Sequence, residues 1–326
     1  DRQRSPGQYF LTGSQQWGVL KNVAESLAGR AAFIDLDGFC LQELRGRGTD
    51  KNTWLSTWLD SGGAWPIEDL SRLPPGKTPF EQLWYGFLPA VQSLPAEIVS
   101  DFHEAYRRTY IERDIRLVAD VGDYQLFGRF VRLAAAMTAT EINYSQLGRE
   151  LGVTPQTAHR WLDAIRATYQ WFELPAFSAN AIKKVSQKPK GYVADTGAAC
   201  SAQVISSPAA LAGHPLLGAL FETAVVAELR KLVATMPTRP SMSHWRSHGG
   251  AEVDVVLEYN GLHFPIEVKA SSAPRRSAVR GPQAFRETYP NLRIAPALVL
   301  APSDTSYALA KDCFVLPWDA YMTSGA

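Results

Sequence analysis

Two acidic residues and a lysine stand at alternating positions in Ala251–Ala270, a segment whose halves alternate apolar and polar residues around a central Asn260–Gly261. This pattern is typical of a β-hairpin with a two-residue type I′ turn. The turn places Asp254 directly opposite Glu267, with Lys269 on the same face. Carboxylates whose Cβ atoms lie about 5 Å apart repel each other, and Mg²⁺ would offset that repulsion.

The other face of the hairpin is apolar. In the same register Val255 pairs with Ile266, Leu257 with Phe264, and Val253 with Val268. One face of the hairpin is therefore expected to pack in a core, while the other carries charge.

A third acid is predicted on the helix over residues 215–233. Its apolar stripe includes Val225 and Leu229. At about 100° per residue, Glu222 lies on this stripe, whereas Glu228 falls about 240° away. A carboxylate on an apolar stripe is costly unless it is paired, protonated or bound to a metal.

The order of these motifs, GALFETAVVAEL, then HWRSHGGAEVDVVL, then PIEVKA, resembles the PD-(D/E)xK nuclease superfamily and Holliday-junction-resolvase-like nucleases. The resemblance implies a nuclease-like α/β domain over residues 193–326 with a central mixed sheet. It also implies metal-assisted phosphodiester hydrolysis, in which Asp254, Glu267 and Glu222 bind Mg²⁺ or Mn²⁺ and Lys269 acts on the attacking water.

Alternatives without metal remain open at this site. Lys269 opposite Glu252 would make an ordinary cross-strand ion pair, and Asp254 with Lys269 or Arg246 would make a buried network. A member of the superfamily that does not cleave is a further alternative. If the site is catalytic, Arg246 is expected to hold a phosphate. Two histidines of the same region are expected at the surface: His244 and His248.

Residues 119–192 carry the pattern of a winged helix-turn-helix. A short helix ends at Gly152, and Thr154-Pro155 supplies the N-cap and first residue of the next helix. The residues expected to face DNA on that helix are Gln156, Thr157 and Arg160. The following strands, around residues 171–174 and 190–193, would form a wing with a basic tip containing Lys183, Lys184, Lys188 and Lys190. A structural spacer that does not bind DNA is the alternative.

The phrases LTGSQQ and SLAGR near the start resemble AAA-type ATPases that carry a C-terminal domain of unknown function. The resemblance implies a remnant of the ATPase core over residues 1–45. The apolar run over residues 31–36 itself predicts a strand. By the same resemblance, Thr12 or Ser14 lies at the strand end that senses nucleotide, and Arg30 serves as an arginine finger.

A loop and a helical lid are expected over residues 46–118, with helix from Phe80 to Val118. The phrase from Tyr110 to Asp114, at the end of this lid, also resembles the ATPase family. Three arginines in and before it would face a neighbouring nucleotide or pair with Glu112 and Asp114: Arg107, Arg108 and Arg113. No G-x-x-x-x-G-K-[ST] motif occurs, and the segment closest to it has Asp50 before its lysine. ATP is therefore not expected as a ligand of this chain. An upstream ATP-binding segment in the parent protein remains open.

The composition sets limits on partners and compartment. Lysine and arginine number 33 against 32 acids, a formal charge of +1, so any nucleic-acid surface must be local. The three cysteines, Cys40, Cys200 and Cys313, are expected as core thiols of a cytoplasmic protein. No run of about 18 apolar residues occurs, so the sequence predicts no membrane span.

The sequence thus predicts an α/β multidomain protein made of a partial AAA-type sheet with a helical lid, a winged helix and a PD-(D/E)xK-like domain. The predicted function is Mg²⁺-dependent cleavage of DNA. The alternative is a non-catalytic DNA- or protein-binding module of an ATPase whose nucleotide site is absent from this chain. A second copy or an ATPase subunit is a further expected partner.

Overall fold

The computed structural model describes residues 10, 12–13, 32–50, 53–64, 70–74, 76–110, 115, 122–180 and 187–322. Over these residues the protein is mixed α/β with sheets of two, three and six strands. Residues 32–36 form no strand, in contrast to the predicted strand over 31–36. Thr12 is exposed, and Ser14, Arg30 and Arg113 lie outside the described residues.

The first part of the described chain is mainly helical. Its elements are α1 Leu41–Leu44, α2 Trp54–Asp60, β1 Leu70–Arg72, α3 Pro79–Tyr85, a 3₁₀ turn Pro89–Val91 and α4 Ala96–Thr109. The region with a helical pattern from Phe80 thus contains separate helices rather than one. Gly86, with φ 78°, follows the last residue of α3. Pro89 is the first residue of the 3₁₀ turn, where proline is favoured, and Pro95 is the N-cap of α4.

The next part contains the predicted helix, turn and helix. Its elements are α5 Tyr124–Ala136, β2 Thr140–Glu141, α6 Tyr144–Leu151, α7 Pro155–Ala167, β3 Trp171–Leu174 and β4 Lys190–Val193. Gly152 ends α6 in the left-handed conformation, and the Thr154 hydroxyl accepts the Thr157 N–H at 3.1 Å to cap α7. Trp161 of α7 packs edge-on against Phe127 and Phe130 of α5. The strands form a sheet in the order β2-β4-β3.

The last part is built around the six-stranded sheet. Its helices are α8 Thr196–Ala202, α9 Pro208–Ala212, α10 Leu217–Ala234 and, after a 3₁₀ turn Arg276–Val279, α11 Arg280–Thr288. Its strands are β5 Ser241–Arg246, β6 Glu252–Tyr259, β7 Leu262–Val268, β8 Ala297–Ala301, β9 Tyr307–Ala310, β10 Cys313–Pro317 and β11 Ala320–Met322. Strand β11 pairs with β1 to form the two-stranded sheet.

The six-stranded sheet is mixed, with the order β5-β6-β7-β8-β10-β9. Strands β7, β8 and β10 run parallel, whereas β5-β6, β6-β7 and β10-β9 are antiparallel. Strands β8 and β10 lie inside the sheet, and β5 and β9 form its edges.

Both faces of the hairpin β6-β7 are covered. Val255 and Ile266 belong to the main core together with residues of α10, while Val256 packs with Phe285 of α11 in a separate apolar cluster. The face that carries the charged residues Asp254 and Glu267 is therefore covered as well as the apolar face. Asp254 and Glu267 are buried on this face, and this burial determines their chemistry.

Helix α10 is buried on more sides than its apolar stripe predicts. Glu228, placed by the helical period away from this stripe, is 7% exposed. Its carboxylate accepts the Leu41 N–H at 3.0 and 3.1 Å and lies 3.5 Å from Lys231 Nζ. Helix α1 therefore rests against a face of α10 that lies outside the predicted apolar stripe.

Candidate functional site

The turn of the hairpin forms as predicted. Asn260 and Gly261 have φ values of 50° and 72°, as a type I′ turn requires. Tyr259 pairs with Leu262, and the ladder continues in the predicted register as far as the pair of Val255 with Ile266.

Asp254 ends this ladder. Its Oδ2 accepts the Val268 N–H at 2.8 Å. In the predicted register Val268 pairs with Val253. The Val268 N–H instead bonds to the Asp254 carboxylate, which therefore replaces a backbone acceptor. Asp254 is only 3% exposed. Its side chain therefore lies within the sheet layer, where it contributes to the pairing of the two strands.

The second oxygen of Asp254 is bound by a lysine from another sheet. Lys190 Nζ, on β4, lies 3.3 Å from Asp254 Oδ1 and 3.0 Å from Glu222 Oε1. Lys190 is 5% exposed, so its predicted place at a solvated basic tip is wrong. Tyr192, two residues further on the same strand, donates its hydroxyl to Glu222 Oε1 at 2.9 Å. The two side chains share one face of β4 because alternate residues of a strand point the same way.

Glu267 completes the cluster. Its Oε1 accepts Lys269 Nζ at 2.6 Å, and its Oε2 is buried without a hydrogen-bond donor among the described residues. Helix α11 approaches closely at Gly281, where a Cβ atom would lie 3.3 Å from this Oε2 and 1.9 Å from the Glu252 carbonyl oxygen. The absence of a side chain at Gly281 thus allows α11 to cover Glu267.

Burial and mutual repulsion set the protonation of these acids. Burial, and then the charge of Asp254, raise the pKa of Glu222 to about 7 and that of Glu267 to about 8. Burial alone would lower the pKa of Lys190, but the charges of Glu222 and Asp254 outweigh it and raise that pKa. Lys190 therefore stays protonated at neutral pH and is the permanent counter-ion of the cluster.

The predicted Mg²⁺ requires oxygens of Asp254, Glu267 and Glu222 to converge on one ion. Lys190 Nζ instead lies within hydrogen-bond distance of both Glu222 and Asp254, and Lys269 is bonded to Glu267. Within the described ranges, no group of three or more His, Cys, Asp or Glu side chains has an arrangement suited to a metal. The full three-acid set does not fit a shared metal in this arrangement, because an ammonium group already bridges two of its members.

The predicted DNA-facing residues lie apart from this cluster. Gln156 and Arg160 are exposed on α7, whereas Thr157 is half-buried, with its hydroxyl 3.0 Å from that of Thr154. Arg246 is exposed at the end of β5 and has no ion-pair partner in the described chain. Lys183 and Lys184 fall outside the described residues.

The two histidines of β5 and its following turn differ. His248 is exposed as predicted, but His244 is 1% exposed, so the surface position predicted for it is wrong. Its Nε2 lies 3.1 Å from the Lys188 carbonyl oxygen. Burial lowers the pKa of His244 to about 4. His244 is therefore a neutral side chain that holds the segment before β4 against β5.

Lys190 and Tyr192 are the site residues that sequence reasoning missed. One signal was available, because a lysine and a tyrosine two residues apart on a predicted strand share a face. Nothing local to β4 indicates that this face meets Glu222 and Asp254, which are 32 and 64 residues further along the chain.

Comparison with family models finds two matched regions, and the ion pairs of Lys190 link one region to the other. Residues 77–209 match a domain of unknown function, DUF8612, and residues 217–321 match a second one, DUF4143. Lys190 and Tyr192 lie in the first region, and the acids with Lys269 lie in the second. The cluster therefore joins the two matched regions.

The whole chain is similar to two uncharacterized mycobacterial proteins, Rv2008c of Mycobacterium tuberculosis (strain ATCC 25618 / H37Rv) and Mb2031c of Mycobacterium bovis (strain ATCC BAA-935 / AF2122/97). Identity is 26% over 326 residues in both cases, and the chain spans 65% of the length of these relatives. No solved structure matches. No helix in the described ranges is long and apolar enough to cross a membrane.

Proposed function

We propose that this chain is a non-catalytic DNA-binding module of an AAA-type ATPase family protein, in which a winged helix is fixed to a nuclease-like domain that does not cleave. One observation carries the proposal. Lys190 Nζ, from the winged-helix side, lies 3.0 Å from Glu222 Oε1 and 3.3 Å from Asp254 Oδ1, in the acidic centre of the other domain.

The charge balance of the cluster supports this role. Three acidic side chains meet two ammonium groups, and Glu267, with a pKa of about 8, is largely protonated at neutral pH. The Tyr192 hydroxyl adds a neutral donor to Glu222. A buried ion pair is strongly destabilised when one partner is removed, by about 3–5 kcal/mol. Displacing Lys190 to admit a divalent ion would expose the protein to such a cost, so the acids act as the attachment point of a neighbouring strand.

The nuclease-like architecture is supported by element order. A helix with an acid, α10, precedes three antiparallel strands that carry Asp254 and Glu267, and a helix, α11, leads to the parallel strand β8. This is the order that the resemblance implies, with the acids on the expected elements. The fold can be retained without cleavage because the sheet and its helices do not depend on an ion.

DNA binding is supported by the exposed face of α7. Gln156 and Arg160 project from the first two turns of the second helix of a helix-turn-helix pair. Amide and guanidinium groups at this position suit base edges and phosphates in the major groove. Asp163 and Arg166 of the same helix already form an ion pair at 2.6 Å. The contact between α7 and DNA is therefore expected to be small.

Two assays test the proposal together. Fluorescence anisotropy with a labelled duplex should show salt-sensitive binding that needs no divalent ion. The double variant Gln156→Ala/Arg160→Ala should bind at least about tenfold more weakly. Arg239→Ala, at an exposed arginine after α10, is the matched control and should bind normally. Equal DNA affinities of the double variant and the Arg239→Ala control would contradict a role of α7 in DNA binding.

The second assay addresses cleavage. Supercoiled plasmid incubated with the chain and Mg²⁺ or Mn²⁺ should remain intact. Nicking that disappears in Asp254→Asn would show that the acidic centre is catalytic and would contradict the non-catalytic proposal.

A metal-dependent nuclease is the second candidate function, and one atom favours it. Glu267 Oε2 is buried and has no donor among the described residues, beside the charge of Asp254. Such an oxygen is a possible ligand for a hard cation. Isothermal titration with Mn²⁺ distinguishes the candidates. Binding that is lost in Glu267→Gln and kept in Glu258→Gln, at an exposed acid of the same hairpin, would favour the nuclease.

A further inference from the structure

The outer face of α7 carries a histidine whose ring is held by two neighbours. His159 Nδ1 lies 3.1 Å from Asp163 Oδ2, one helical turn further along the chain. The ring of Tyr144, on α6, packs against the imidazole, with the two ring centroids 4.6 Å apart. The His159 side chain is still 55% exposed. The imidazole is therefore held in one orientation while part of the ring faces solvent.

These contacts leave one ring nitrogen free to gain or lose a proton. A carboxylate accepts hydrogen bonds and donates none, so His159 Nδ1 carries the hydrogen that points at Asp163. In the part of the chain that the structure describes, Nε2 of His159 has no hydrogen-bond partner. Protonation of an imidazole converts this nitrogen from a neutral acceptor into a charged donor.

The charged and titratable groups that face His159 come from three elements. Asp163 also accepts Arg166 at 2.6 Å, and Arg166 reaches Glu173 of β3 at 3.1 Å. Burial raises the pKa of Glu173, while the charges of Arg166 and His159 lower it. Burial raises the pKa of Tyr144 to about 12, so this phenol stays neutral. Two acids thus share one guanidinium group, and histidine is the side chain whose charge ordinarily changes near neutral pH.

His159 lies on the surface of α7 to which DNA binding is assigned above. At about 100° per residue, His159 is about 60° from Gln156 on one side, and Arg160 is about 40° from Gln156 on the other. All three side chains are exposed, whereas Trp161 packs against α5. A duplex held by Gln156 and Arg160 therefore meets the free side of the imidazole as well.

We propose that His159 is a third DNA contact of α7, which donates a hydrogen bond from its protonated Nε2 to a phosphate oxygen. The inference rests on the proposed DNA-binding function and adds a proton to it, because a neutral His159 takes up one proton from solvent when the complex forms. Asp163 is the positioning residue, since its carboxylate holds the imidazole and is the counter-ion of the charged ring. A phosphate suits this donor better than a neutral base edge, because hydrogen bonds between charged partners are stronger.

Fluorescence anisotropy with a labelled duplex tests the inference when it is measured at about pH 6 and about pH 8 at constant ionic strength. The wild type should bind at least about threefold more tightly at the lower pH. His159→Gln should lose most of this ratio, whereas His248→Gln, at an exposed histidine outside α7, should keep it. His159→Lys carries a cation at both pH values, so its affinity at the higher pH should match that of the wild type at the lower pH.

Two further measurements separate this role from other effects of pH. At the lower pH, the slope of log affinity against log salt should be smaller by about 1 in His159→Gln, as expected for one lost phosphate contact. Asp163→Asn should reduce the ratio of affinities, because the charged imidazole loses its counter-ion. Glu222 and Glu267, whose pKa values are about 7 and about 8, are present in all these proteins, so their effects cancel in the comparison.

The outcomes distinguish this inference from the proposed function. Equal wild-type affinities at the two pH values, or a ratio that persists in His159→Gln, overturn the inference while DNA binding by α7 stands. Weak binding by both His159→Gln and His159→Lys also overturns it, because the side chain would then act through its shape rather than its charge. Absence of duplex binding at either pH overturns both the inference and the proposed function.

Discussion

Lys190 Nζ lies 3.3 Å from Asp254 Oδ1, and this contact joins the three-stranded sheet to the six-stranded sheet. Both side chains are buried, with 6% and 5% of their area exposed. Asp254 also accepts the Val268 N–H, so one carboxylate joins the two sheets and closes the hairpin ladder. The ion pair is therefore part of the connection between the two halves of the chain.

Replacement of Lys190 by methionine should destabilise the protein by about 3–5 kcal/mol, because Glu222 and Asp254 would be left buried without their counter-ion. Urea unfolding at pH 7 measures this change. Lys188→Met is the matched control, since Lys188 is exposed on the same segment, and it should change stability by less than about 0.5 kcal/mol. Similar effects of both substitutions would contradict a structural role for the ion pair.

Gly281→Ala should destabilise the protein by about 1–3 kcal/mol. The added Cβ would lie 1.9 Å from the Glu252 carbonyl oxygen, so α11 would have to move off the sheet. Gly218→Ala, in α10, meets nothing within 4 Å and should leave stability unchanged or raise it by less than about 1 kcal/mol. Thermal unfolding of the two variants measures the contrast. A Gly281→Ala protein as stable as the wild type would show that α11 is not closely packed on β6.

Features determined by neighbouring residues were predictable from the sequence. Asn260–Gly261 dictates the turn and hence the register of the hairpin, and Gly152 with Thr154 marks the boundary between α6 and α7. These elements follow from left-handed backbone preferences and capping, which act over a few residues. The positions of Asp254 and Glu267 followed from the same register.

Features determined by distant packing were not predictable. The charge of Lys190 suggested a solvated position, because a single sequence does not show which strand will meet Glu222. The helical period places Glu228 about 240° from the apolar stripe, yet α1 covers that face as well. In both cases a buried charge is tolerated because a partner from a remote segment satisfies it, and such pairings leave no periodic pattern.

Acid should destabilise the protein through His244. Burial lowers its pKa to about 4 in the folded state, from an ordinary value of 6.5. Between these values the unfolded chain binds more protons than the folded one, so this side chain stabilises the fold above pH 6.5 and loses that contribution as the pH falls towards 4. The difference amounts to about 3 kcal/mol.

The contribution of His244 is measured by the stability difference between wild type and His244→Gln as a function of pH. Glutamine keeps an N–H donor for the Lys188 carbonyl, so the difference should change between pH 6.5 and 4 and be flat above 7. Glu222 and Glu267, whose folded pKa values are raised, act in the opposite direction by weakening the fold as the pH rises from about 4.5 to 8. Both glutamates are present in the wild type and in the variant, so their contributions cancel in the stability difference. His248→Gln should show no pH-dependent difference, and a flat His244→Gln curve would contradict a buried neutral imidazole.

A second buried contact between the two halves of the chain should be measurable by a double-mutant cycle. Thr138 Oγ1 and Thr223 Oγ1 lie 2.8 Å apart and are fully buried. Thr223 donates to the Ala219 carbonyl at 2.7 Å, and Thr138 accepts the Val193 N–H at 3.2 Å. The Thr138 hydroxyl hydrogen is therefore left to donate to Thr223.

Thr138→Val should cost about 1–3 kcal/mol because it leaves the Val193 N–H unpaired. Thr223→Val should cost less, and the double variant should lose about 1 kcal/mol less than the sum, as expected for two side chains that share one hydrogen bond. Chemical unfolding of the four proteins gives this coupling energy. Strict additivity would show that the two hydroxyl groups do not interact and that Lys190 is a more isolated link between the halves.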